Sequence, residues 1–317
     1  MYKRWKDKVI DSRATLPISI ALALCGWIAT HTLILHSEVS VWLLAIVYAV
    51  VGYLLFEFNT NFAFIKAKSP IQISLFILLV ISFPQLSASN YQLSTVGMLI
   101  ALFFLFRSQQ EKQSVGNLFH SFAFLSISSL LQPCYAWLLP LFWLGSNRLF
   151  SLNSRSFAAS IVGFLMHYWV LWGVCYLQDN LAVCYSRIAS IVAFQPFEFA
   201  LDTTQAIGFG FLLLLLIVAA VNFYSKAFGD KLRARNYIQF LIILTVILAF
   251  GILFQEGLFQ QLLPLFIAIL SLIVSYFFSM SRGRLANYYF IFVLIGMLSL
   301  YLYNNLFAQW ASGLPTY

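Results

Sequence analysis

Six charged side chains of this chain could do chemistry: Glu38, Asp179, Arg187, Glu198, Asp202 and Glu256. A carboxylate within reach of a hydroxyl can take its proton as a general base. A guanidinium offers a planar fork of donors that matches a phosphate. Glu38 and Asp179 are the expected catalytic carboxylates, and Arg187, Glu198, Asp202 and Glu256 are expected to contact substrate. Gln255, Gln260 and Gln261 add uncharged donors and acceptors near Glu256. The competing reading is that these are solvated loop positions, or that Arg187 pairs with one of the acids. Glu57, followed by Asn59 and Asn61, stands apart at the other end of an apolar run. An acid at the edge of a membrane span is a functional candidate in its own right.

Familiar catalytic signatures are absent from the sequence. It holds no phosphate-cradling GxxxxGKS/T, no GxGxxG, no HExxH, no GxSxG and no CxxC. His31 and His36 are five residues apart and so out of phase on a helix. No metal and no cofactor is expected. Of the four cysteines, Cys25 and Cys134 lie apart from one another, while Cys175 and Cys184 flank the start of a polar segment. That second pair could form a disulfide in an oxidising compartment or remain as two free buried thiols.

The elements that must position these groups are set by composition. The chain has 317 residues, of which 62% are hydrophobic and 9% charged. Soluble domains run near 45–50% apolar and about 25% charged, so water cannot be the only solvent of this fold. A spanning helix needs about 20 apolar residues. Such runs occur at 15–36, 40–57, 70–88, 91–107, 117–132, 135–148, 157–177, 205–224, 237–254, 258–279 and 286–305. A single helix over 117–148 would be about 48 Å long against a hydrocarbon core of about 30 Å. Gln132 and Pro133 at its centre favour two short helices or a re-entrant hairpin. The expected fold is therefore all-α: a polytopic transmembrane helical bundle of about eleven spans, nine at the fewest.

Charge orients the bundle. If the basic segment 1–14 is cytoplasmic and the runs alternate, every one of the 18 Lys and Arg residues except Arg187 falls on the inner side. Cytoplasmic loops carry just such an excess. The net charge of +8 is then an orientation signal and requires no nucleic acid. KLRAR at 231–235 could also meet anionic headgroups, although topology alone accounts for it. Residues 15–317 read as a single transmembrane domain with the C-terminus outside. One outer loop, 178–204, is long, and Arg187 and Glu198 within it argue for an interfacial or re-entrant segment rather than a span. A bacterial inner-membrane location is expected, with membrane lipids as surroundings.

The stretch 59–172 resembles an uncharacterised family of multi-pass inner-membrane proteins from Bacteroidetes. The residues that carry the likeness are IKAKSPIQISLFILLVISFP (65–84), FLFRSQQEKQ (104–113), NLFHSFAFLSISSLLQPCYAWLLPLFWL (117–144) and SIVGFLMHYWVLW (160–172). The general layout is also similar to that of the membrane-embedded C-type glycosyltransferases that use polyprenyl-linked sugars. That resemblance implies an acidic catalytic residue after the first span, the position of Glu38, and a polyprenyl-phosphate-linked substrate at the outer face. Three functions are expected: envelope glycan or lipid-linked-sugar transfer; a non-catalytic subunit or scaffold packed against membrane-protein partners in an envelope, secretion or motility complex; and a transporter or flippase.

Overall fold

The computed structural model describes residues 6, 9, 12, 14–30, 40–62, 70–84, 86, 91–109, 114–192, 199, 201–226, 232–255, 257–281 and 284–313. Twelve α-helices and no strand occur among them. They are α1 (Thr15–Thr30), α2 (Ser40–Phe62), α3 (Ile71–Ile81), α4 (Gln92–Arg107), α5 (Ser114–Leu131), α6 (Leu139–Arg148), α7 (Ser154–Leu177), α8 (Leu181–Val192), α9 (Thr203–Lys226), α10 (Leu232–Phe254), α11 (Leu258–Met280) and α12 (Arg284–Gly313). A 3₁₀ segment, Pro133–Leu138, leads into α6. Among the described residues seven helices are long and apolar enough to cross a bilayer: α2, α5, α7, α9, α10, α11 and α12. The chain is thus a helical, multi-pass membrane protein. Lipid offers no hydrogen bonds, so only structures that satisfy their own backbone can cross it.

Every one of the apolar runs read from the sequence contains a helix, and among the described residues two runs depart from α-helical form. The run 70–88 is helical only over Ile71–Ile81, about 16 Å of rise. Pro84 removes a donor and pushes the residue before it out of the helical region, which ends α3 early. The run 135–148 opens as 3₁₀. Gln132 is extended at φ −135° and ψ 105°, as expected before Pro133, and so separates α5 from the 3₁₀ turn. At about 2.0 Å per residue, that turn brings Pro133–Arg148 to roughly 27 Å, longer than sixteen α-helical residues would reach. The segment 178–204 contains α8, whose twelve residues rise only about 18 Å.

The described chain forms two compact units. The first comprises 1–89, 201–245 and 266–317; the second comprises 90–200 and 246–265. In the second, α5 packs against both α4 and α7. Small residues let these backbones approach. The Ser121 hydroxyl donates to the Ala101 carbonyl at 2.8 Å, and Ser129 and Tyr168 share a hydroxyl contact of 2.8 Å. A Cβ built on Gly163 would lie 2.5 Å from the Phe119 carbonyl oxygen. Tight packing and such interhelical bonds, rather than hydrophobic transfer, hold helices together in lipid. Burial differs sharply between helices: 94% of the apolar window of α11 is buried, against 11% for α7. The outward side of α7 carries Val162, Leu165 and Trp169, which suits a lipid-facing position.

In the first unit, α12 is tied to α3 and α1 by polar bonds. The Ser82 hydroxyl donates to Met297 O at 3.1 Å, and Asn304 Nδ2 donates to Ser82 O at 2.6 Å. Tyr301 donates to Gly26 O at 2.9 Å. Lys6 is almost fully buried, and its ammonium donates to the carbonyls of Phe278 (3.0 Å) and Ser281 beyond the end of α11. A cation there meets both the unsatisfied carbonyls and the negative end of the helix dipole.

Gly163→Ala should destabilise the protein by about 1–3 kcal/mol, because a rigid backbone carbonyl occupies the space of the new methyl. Gly173→Ala, in the same helix with nothing within 4 Å of its Cβ, should be neutral or stabilising by up to about 1 kcal/mol. Thermal unfolding in detergent measures both.

Candidate functional site: an apolar cavity beside a hydrogen-bonded carboxylate

A cavity of about 430 Å³ opens between α1, α2 and α3 in the first unit. Its walls run from Leu16 to Trp27 on α1, from Leu44 to Tyr53 on α2 and from Ile73 to Pro84 beyond α3. Eleven residues of α-helix correspond to about 16 Å, so the cavity is a slot along the helices rather than a spherical hole. It falls within the ~300–1,000 Å³ range of small-molecule sites. Its lining is almost wholly aliphatic and aromatic, which suits a hydrocarbon chain and disfavours a polar solute.

Two walls are well fixed. Ser19 on α1 donates to Ser74 on α3 at 2.9 Å, and Tyr301 and Asn304 hold α1 and the end of α3 from α12. Helix α2 is attached by rings: Tyr48 meets Phe76 edge-on with centroids 6.1 Å apart, and Phe62 meets Tyr237 at 5.2 Å. Gly52 widens the slot, since a Cβ there would reach only ordinary contact with Ile73.

The polar group lies one helical turn past Tyr53, on the same face of α2. The Tyr53 hydroxyl donates to Glu57 Oε1 at 3.1 Å, and Asn61 Nδ2 donates to Glu57 Oε2 at 2.7 Å. Asn61 also reaches the Glu57 carbonyl at 2.9 Å. Glu57 is half-buried, while Tyr53 and Asn61 are exposed. The i, i+4, i+8 spacing of Tyr53, Glu57 and Asn61 makes this chain a local property of the sequence. A carboxylate so held has lone pairs left for an ammonium or hydroxyl and would repel a phosphate. Together the slot and the carboxylate can hold an amphiphile by its tail and by a donor-bearing head.

The side chains expected to do chemistry are placed differently. Glu38, Glu198 and Glu256 lie outside the described residues. Asp179 and Arg187 are both exposed, in the second unit, and no ion pair joins them among the described residues. Asp179 sits at the α7–α8 corner with φ 50°, a left-handed conformation that aspartate tolerates better than most residues. Asp202 is exposed directly before α9, and its carbonyl accepts from Ala206 N–H at 2.7 Å. An acid at a helix N-terminus is favourable in itself. Of the glutamines, Gln261 is engaged: the Cys134 thiol donates to its Oε1 at 3.5 Å and the Tyr135 hydroxyl to its carbonyl at 3.2 Å. No cluster of three or more potential metal ligands occurs among the described residues. Glu57 was visible in the sequence as an acid at a span end. The slot beside it was not, because a cavity is a property of how three helices meet.

No protein-family model, curated protein or solved structure matches the chain, so the site stands on its own residues.

Lipid that co-purifies should fall several-fold in Ala49→Trp, which places an indole in the slot. Val50→Trp, one residue on and outside the lining, should leave it unchanged. Native mass spectrometry of the two variants beside the wild type checks this.

Proposed function

We propose that the chain is an inner-membrane protein of about eleven spans that handles a lipid-anchored substrate, the reaction class being transfer of lipid-linked sugar in the cell envelope. The observation that carries this reading is the apolar slot of α1–α3, which fits the hydrocarbon tail of such a substrate. The base would be Glu38 or Asp179 at the outer face, with Arg187 at the lipid phosphate. Positioning and charge stabilisation would supply most of the acceleration. Phosphate belongs with Arg187 in this scheme and not with Glu57, whose charge has the wrong sign.

A second reading has its own support. The exposure of Asp179 and Arg187, without an ion pair between them, also suits a subunit that packs against other membrane proteins. Substitution separates the two. Asp179→Asn is a clean variant, because asparagine also accepts a positive φ. Deletion should alter envelope glycans, wild type should restore them, and either Glu38→Gln or Asp179→Asn should fail to. Full restoration by both variants removes the assigned bases. Unchanged glycans on deletion remove the transfer reading, and co-purification of defined membrane partners would then favour the subunit.

The orientation has its own support in the near-total confinement of Lys and Arg to one set of loops. A reporter active only in the cytoplasm should work when fused after Lys112 and fail after Asp179, with the reverse for a periplasmic reporter.

A further inference from the structure

The corner between α7 and α8 brings two cysteines together. Helix α7 ends in a pair of bonds of the Schellman type: Asp179 N–H donates to Tyr176 O at 3.2 Å, and Asn180 N–H donates to Cys175 O at 2.9 Å. The positive φ of Asp179 turns the chain, and α8 starts at Leu181 without a linker. This reversal stacks the last turn of α7 on the first turn of α8. Cys175, in the last turn of α7, and Cys184, in the first turn of α8, are both buried free thiols on either side of this corner.

Cys184 is the buried residue of α8. Val183, Ile188 and Val192 are 43%, 44% and 76% exposed, so little apolar burial holds this helix within the chain. Its far end has one clear attachment, the Trp137 indole N–H donating to Ile191 O at 2.8 Å. At the near end the buried side chain is that of Cys184, next to the backbone bonds of the corner.

We propose that Cys175 and Cys184 are a disulfide site that staples α8 to the end of α7. An Sγ–Sγ bond forms as both thiols lose their protons. The two electrons pass to a disulfide-bearing oxidant, whose own S–S bond breaks to give two thiols. Exchange takes place while the hairpin forms, before burial closes over the sulfurs. The staple encloses a short loop and holds α8 at the membrane surface, with Arg187 one turn beyond Cys184. The proposal rests on the outer-face reading of this loop, since disulfides persist in oxidising compartments.

The test uses the full chain with Cys25→Ser and Cys134→Ser, which leaves only this pair. Cells are quenched in acid, and the denatured protein is labelled with a maleimide–polyethylene glycol before or after reduction. The expected result is no gel shift without reductant and two added labels with it. Adding Cys184→Ser should release one label at Cys175 without reductant. Two labels without reductant overturn the proposal, and diamide treatment of the purified protein then identifies the cause. Closure by diamide shows that the thiols meet and that the outer-face reading failed. Failure to close shows that the thiols do not meet.

Discussion

Hydrocarbon cannot hydrogen-bond a stray carbonyl, and this constraint governs the fold. Within each helix the backbone satisfies itself; the problem is displaced to the ends and the breaks. The chain answers with side chains sent from elsewhere. Lys6 takes the carbonyl of Phe278 in the last turn of α11 and that of Ser281 just past its end, Asn304 takes that of Ser82, and Trp137 takes that of Ile191. Tyr135 donates to the carbonyl of Gln261, beside Gln260, whose carbonyl lost its helical donor when Pro264 entered α11. Each of these bonds also ties sequence-distant elements together. Repairing the ends and assembling the bundle are therefore largely the same set of interactions.

The same constraint shapes the packing. Apolar side chains gain nothing by leaving lipid for another apolar surface, so close contact must be won by shape and by polar bonds. Gly163 against the Phe119 carbonyl and Ser121 against Ala101 are places where a larger residue would hold the helices apart. Where α1, α2 and α3 fail to fill the space between them, the result is the slot. A void lined by aliphatic and aromatic groups offers a hydrocarbon chain the contacts that its walls otherwise lack.

Much of the helical architecture was legible in the sequence because hydropathy reports directly on the solvent. The runs located every helix that α1–α7 and α9–α12 became, and Pro133 marked the break after α5. Length was less legible: α3 ends at Ile81, three residues before Pro84 and seven short of where apolarity alone would stop. The candidate site was the least legible part. Asp179 and Arg187 drew attention by charge, yet Asp179 has a local backbone reason to be at its corner. Glu57 was the better placed acid because its partners, Tyr53 and Asn61, recur at helical spacing. That spacing was readable in the sequence; the cavity next to it required the fold.

Charge sign separates the two polar regions that remain. Glu57 is a held anion at the end of an apolar slot, suited to a donor-bearing head. Arg187 is an exposed cation on a short helix, suited to a phosphate. The two therefore select heads of opposite charge: a phosphate that suits Arg187 is disfavoured beside Glu57, and a donor-bearing head that suits Glu57 gains nothing from Arg187.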